Sequence, residues 1–89
     1  MMVQLILPST IQRNLDCPAK IIIPATNYQE FEAHIHQHEK KLHSFFFKDR
    51  QQLQPYIRLL IGETFFDANY GEPLKDESII EVLMPMSGG

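Results

Sequence analysis

The chain has 89 residues, 44% of them hydrophobic, with eleven acidic residues against eight basic ones and a net charge of −3. That length supports one small domain with a single core. The basic residues are scattered, Cys17 is the only cysteine and every apolar run is short, which excludes a polyanion-binding stripe, a disulfide framework, a Cys-rich zinc site and a membrane helix of ~20 residues.

Residues 1–8 carry neither a charged leader nor a cleavage pattern, so a cytoplasmic protein is expected. Residues 2–7, Met-Val-Gln-Leu-Ile-Leu, read as a first strand stopped by Pro8. Residues 8–19 are polar and read as a connection. Residues 20–23 form a second strand closed by Pro24, and the two strands can pair antiparallel. A helix is predicted over 27–42. Thr26 and Asn27 are both N-cap candidates, with Gln29 and Glu30 as their capping-box partners. Tyr28, Phe31, Ile35 and Leu42 make its apolar stripe, and His38 can close the same face. Glu30 and Glu32 lie early and Lys40 and Lys41 late, the order that the helix dipole favours.

Residues 44–55 are mixed, with Phe45-Phe46-Phe47 packing under a loop. Residues 56–61 form a third strand, Gly62-Glu63 a turn and residues 64–66 a short fourth strand. Residues 67–78 are turn-rich, with Leu74 as an apolar anchor. Residues 79–84 form the last strand, which ends at Pro85 because proline donates no ladder hydrogen bond. Five strands and one main helix point to an α+β domain, a mixed sheet packed on a helix, over residues 1–84.

Period two assigns the faces of the strands. With Gln4, Arg58 and Glu81 toward water, Val3, Leu5, Leu7, Ile57, Leu59, Ile61, Ile80, Val82 and Met84 point to the helix. Ile6, Leu60, Ile79 and Leu83 then share the outer face with Arg58 and Glu81. Apolar residues gathered on a solvent face mark a docking patch.

The chain ends in Gly88-Gly89, two of its four glycines. At about 7% glycine, a given pair is Gly-Gly in roughly one chain in two hundred. Glycine has no Cβ, so residues 85–89 are expected to form a thin, flexible tail able to enter a narrow channel and present a carboxylate.

The order of elements, together with Pro55-Tyr56-Ile57-Arg58-Leu59-Leu60-Ile61-Gly62-Glu63, Glu72-Pro73-Leu74-Lys75-Asp76-Glu77-Ser78-Ile79-Ile80 and Met84-Pro85-Met86-Ser87-Gly88-Gly89, resembles the ThiS/MoaD-type sulfur carriers, β-grasp relatives of ubiquitin. Pro8-Ser9-Thr10-Ile11 is similar to the loop after the first strand in the carriers that serve cysteine synthesis. The chain departs from the family in having Gly62-Glu63 where an asparagine turn is common and Glu77-Ser78 where Gly-Asp is usual. It also lacks the FAxLRE pattern of the molybdopterin-synthase small subunit.

The resemblance implies a β-grasp fold and a carrier rather than an enzyme. Gly89 would be the group adenylated by a ubiquitin-activating-type adenylyltransferase and converted to a thiocarboxylate, with Gly88 beside it. A second, sulfur-accepting biosynthetic enzyme would take the sulfur. The outer-face residues Ile6, Arg58, Leu60, Ile79, Glu81 and Leu83, with Met86 and Ser87 of the tail, would contact these partners. No bound cofactor is implied, since the activating partner uses the ATP, and neither nucleic acid nor membrane is a partner. Thiamin, molybdopterin, cysteine and secondary metabolites are all open as destinations. Two other readings stand beside this one: a ubiquitin-like modifier conjugated through Gly89, and a β-grasp subunit that only binds.

The remaining candidates read as structural. His34 and His38 share a helix face and could chelate a metal, whereas His38-Glu39 and His43 miss the spacing of a zinc-protease motif by one residue. No native metal site is expected. Cys17 has no activating neighbour in sequence and reads as a bystander.

Overall fold

β-Branched and large apolar residues alternating with polar ones suit a pleated surface with one buried face. In a computed structural model of the chain, residues 2–49, 52–66 and 73–84 are described. The elements are β1 (Met2–Ile6), α1 (Ser9–Leu15), β2 (Lys20–Pro24), α2 (Tyr28–His38), α3 (Lys40–Phe46), β3 (Arg58–Ile61), β4 (Thr64–Phe65) and β5 (Ile79–Leu83). The strands join in one mixed sheet of order β2-β1-β5-β3-β4. β1 runs antiparallel to β2 and parallel to β5, while β3 runs antiparallel to both β5 and β4. The last strand in sequence is therefore the middle strand of the sheet.

The register carries the expected inner face. Val3 lies opposite Ile23, Leu5 opposite Ile80 and Leu59 opposite Val82. Val3, Leu5, Ile23, Leu59 and Ile80 are fully buried, against Tyr28, Phe31 and Ile35 of α2 and Leu42 and Phe46 of α3. Each such side chain contributes about 1.5–3 kcal/mol by leaving water. Phe66 follows β4 and closes the core from the other end, its ring 5.1 Å from Tyr28 and 5.4 Å from Phe31. Leu74 is buried as an anchor, and its N–H donates to the Thr26 carbonyl at 2.8 Å. Gly62 turns β3 into β4 at φ +61, where a side chain would strain the backbone.

The expected connection over 8–19 is in fact partly helical. Pro8 stands as N-cap of α1, and Ile11 is fully buried with Leu15 packed beside the core one turn later. Two apolar residues four apart give this short, polar segment one face worth burying. It stops at Asp16, whose backbone turns left-handed at φ 54.

The predicted helix over 27–42 is divided at Glu39, whose φ −133 and ψ 64 leave the helical region. α3 resumes at once and runs on to Phe46, so Leu42 keeps its place in the core and Phe46 joins it, both nearly or fully buried. His38, expected to close that face, sits exposed at the end of α2. Leu42 and Phe46 fill the space instead. Phe47, also buried, pairs as a single bridge with Leu53.

The third strand starts at Arg58, two residues later than expected. Pro55 and Tyr56 form a turn closed by the Ile57 N–H on the Gln54 carbonyl at 3.0 Å, and Tyr56 is exposed while Ile57 is buried. The fourth and last strands each end one residue earlier than predicted.

At the start of α2 the cap is Asn27. Its side chain accepts the Glu30 N–H at 2.9 Å, and the Glu30 carboxylate reaches back to the Thr26 N–H at 2.8 Å and the Thr26 hydroxyl at 2.7 Å. This is a capping box whose return arm lands one residue before the cap. Among the described residues no helix is long and apolar enough to cross a membrane.

Candidate functional site

Directly opposed residues in neighbouring strands share a face. One row across the outer face therefore reads Lys20, Ile6, Glu81, Leu60 and Phe65, one residue from each strand. Gln4 stands between Ile22 and Ile79 in the next row, and Arg58 lies opposite Leu83. All six outer-face residues singled out from the sequence, Ile6, Arg58, Leu60, Ile79, Glu81 and Leu83, thus lie on this one face. Ile79 and Leu83 are 48% and 46% exposed, and Ile6 and Leu60 are half-buried between the charged residues.

The sequence reading missed Ile22 and Phe65 on this face. Ile22 is 46% exposed, flanked by the half-buried Ile21 and the buried Ile23, so three identical residues hid the alternation. Phe65 pairs across from Leu60, and the Arg58 guanidinium lies 3.9 Å from its ring centre. The stack keeps the Arg58 charge on the sheet surface while its ring partner stays partly exposed.

The face is an apolar field holding Lys20, Arg58 and Glu81 as fixed charges. It can receive a complementary protein surface and orient it. β5 ends at Leu83, opposite Arg58, so the last described residues, Leu83 and Met84, lie beside this field. Met86, Ser87, Gly88 and Gly89 lie outside the described residues.

Further titratable groups lie on and beside the helices. Glu32 is fully buried on α2, and its Oε2 lies 2.6 Å from Nε2 of His43 on α3. The His43 ring stacks on Phe47 with centres 4.7 Å apart and meets His36 edge-on at 4.7 Å. His34 and His38 form a separate pair, with ring centres 4.6 Å apart and planes tilted by 36°. Partial burial, and then the neighbouring His38, hold the His34 pKa below the ordinary imidazole range, with Glu39 opposing. Among the described residues no three His, Cys, Asp or Glu side chains converge on one metal position. Burial, then Glu39 and Asp16, push the Cys17 thiol up, and its Sγ donates to the Leu15 carbonyl at 3.5 Å. Such a thiol carries little thiolate and is a poor nucleophile.

No family model matches this sequence, and no curated protein matches it. Solved structures match it along its length. The structure of SAMP1, the small archaeal modifier protein 1 of Haloferax volcanii, superposes with a TM-score of 0.77 at 16% identity, covering 100% of both chains. A chain of the Amycolatopsis orientalis BexX/CysO complex superposes with a TM-score of 0.79 at 12% identity, covering 98% of this chain and 99% of that one. CysO of Mycobacterium tuberculosis superposes with a TM-score of 0.74 at 7% identity, covering 94% and 99%. The chain has the α+β ubiquitin-like β-grasp fold that these proteins share.

Proposed function

We propose that this chain is a ubiquitin-like sulfur carrier whose reactive group is the carboxylate of Gly89. The observation that carries the reading is the end-to-end β-grasp likeness to CysO and SAMP1 in a sequence that follows its central strand with Met84-Pro85-Met86-Ser87-Gly88-Gly89.

A C-terminal carboxylate has a pKa of about 3.3–3.7 and is an unreactive anion near neutral pH. Attack of its oxygen on the α-phosphorus of ATP, with loss of pyrophosphate, gives an acyl adenylate. A sulfur nucleophile then displaces AMP and leaves a thiocarboxylate, whose sulfur passes to an acceptor. Dividing the transfer this way replaces one difficult step with two easier ones. The ATP site and the proton-transfer groups belong to the activating partner. The carrier contributes a stalk of five residues, 85–89, which spans at most ~16–18 Å. The exposed face at Ile79, Leu83 and Arg58 supports docking at the root of that stalk. The BexX/CysO complex supports the expectation of a partner protein, because one neighbour of the same fold is found in an assembly.

A second reading is favoured by the likeness to the Haloferax small archaeal modifier protein 1. There the activated Gly89 carbonyl is attacked by a lysine amine, and an isopeptide bond replaces the thiocarboxylate.

The test is intact mass after incubation with a ubiquitin-activating-type adenylyltransferase, ATP and sulfide. Exchange of one oxygen for sulfur at Gly89 is expected. Covalent adducts of the chain on other proteins support the modifier instead. Retention of every partner activity after deletion of Gly88 and Gly89 overturns both readings and leaves a subunit that only binds.

A further inference from the structure

We propose that His34 and His38 form a two-imidazole clamp for a tetragonal divalent transition-metal ion of the Ni(II) or Cu(II) class, with water at the remaining positions. Residues four apart on a helix stand one above the other, about 5–6 Å between Cβ atoms. That spacing places paired imidazoles on a single ion in helical metal sites.

The ring separation narrows the choice of ion. A metal–nitrogen bond of ~2.0–2.1 Å places each imidazole centre about 3.2 Å from the ion, so rings at a right angle about it have centres ~4.5 Å apart and rings at the tetrahedral angle ~5.2 Å. The observed 4.6 Å lies at the right-angle end of the range in which both rings reach one ion. Imidazole pairs at right angles suit tetragonal ions, which Ni(II) and Cu(II) favour and zinc in a structural site does not.

The other histidines belong to a different arrangement. His36 turns its ring to His43, and His43 is held by the buried Glu32 carboxylate. Glu30, one turn before His34, is engaged with Thr26. The clamp is therefore a two-residue chelate open to solvent on the His38 side, where the side chain is exposed.

The test uses the full chain without an affinity tag, with Ni(II) chloride alone as probe, near neutral pH. Calorimetry is expected to give one ion per chain, and paramagnetic broadening should reach the His34 and His38 ring signals first. His38→Ala alters an exposed residue and keeps the fold, checked by circular dichroism. It should weaken binding about tenfold or more and abolish the rise in melting temperature that nickel gives the parent chain, while His36→Ala changes neither. Equal broadening of all four histidines, equal loss in His36→Ala and His38→Ala, or the absence of saturable binding below millimolar nickel overturns the proposal and leaves the pair as a ring contact only.

Discussion

Glu32 and His43 lie eleven residues apart and meet at 2.6 Å, joining α2 to α3 across the break at Glu39. The Glu32 side chain is 1% exposed and that of His43 12%, so removing the imidazole withdraws the 2.6 Å partner of a carboxyl oxygen inside the protein. Breaking a buried pair from one side costs more than neutralising it. His43→Ala is expected to lower unfolding free energy by about 3 kcal/mol. Glu32→Gln keeps shape and an acceptor for Nε2, and should cost about 1 kcal/mol. Urea unfolding of both variants checks the order. A His43→Ala chain as stable as its parent would show that the pair holds nothing together.

The two faces of the sheet differ in what they tolerate. Leu83 is 46% exposed on the outer face, whereas Leu59 on the next strand is fully buried. Leu83→Asp should shift stability by less than about 0.5 kcal/mol yet weaken binding to the activating partner by an order of magnitude. Leu59→Asp should leave no cooperative unfolding transition. Circular dichroism melts and a pull-down with the adenylyltransferase separate the effects. Loss of fold in Leu83→Asp would contradict the register.

These faces were legible because strand chemistry is local. Gln4, Arg58 and Glu81 each mark the wet side of a short apolar run, and alternation does the rest. α1 was harder to read, since its only apolar signal is Ile11 and Leu15 amid polar residues, and its formation depends on a core that the segment does not itself contain. The break at Glu39 has no proline or glycine to announce it. Nor does Glu32 look different from any solvated helix glutamate. Its spacing from His43, about three helical turns, was the available clue, and it gains meaning only once α3 is known to continue the helix. The partner-facing role expected of Met86, Ser87, Gly88 and Gly89 falls outside the described residues.

The cap of α2 provides a pH test. The Thr26 hydroxyl, and then its N–H, hold the Glu30 carboxyl below the ordinary glutamate range. The folded-state pKa is depressed, so the unfolded chain takes up this proton first. The stabilising contribution is fully present above the ordinary value of ~4.3 and disappears as pH falls through the lower, folded value. Glu30→Gln should therefore flatten the acid limb of melting temperature against pH. An unchanged limb would mean that the Thr26 contacts do not persist in solution. Asn27→Ala, which removes the cap itself, should cost about 1 kcal/mol at any pH.

Backbone handedness gives a paired prediction. Gly62 and Glu77 both have positive φ, +61 and 64. An added Cβ at Gly62 meets nothing within 4 Å, so the cost of Gly62→Ala is conformational rather than steric crowding by neighbours. About 1 kcal/mol of destabilisation is expected. Glu77→Gly removes the corresponding strain and should be neutral or slightly stabilising, although its N–H must still donate to the Met2 carbonyl at 2.7 Å. Chemical denaturation of the two variants in parallel tests the sign.

The placement of β5 between β1 and β3 bears on how the molecule is made. During synthesis the two hairpins, β1 with β2 and β3 with β4, emerge from the ribosome as halves with no strand between them. Only when residues 79–83 are released can the keystone slide in and close the sheet. The outer face at Ile79, Leu83 and Arg58 is therefore assembled only when the sheet closes, so on the carrier reading proposed above a partner that docks there would select folded chains.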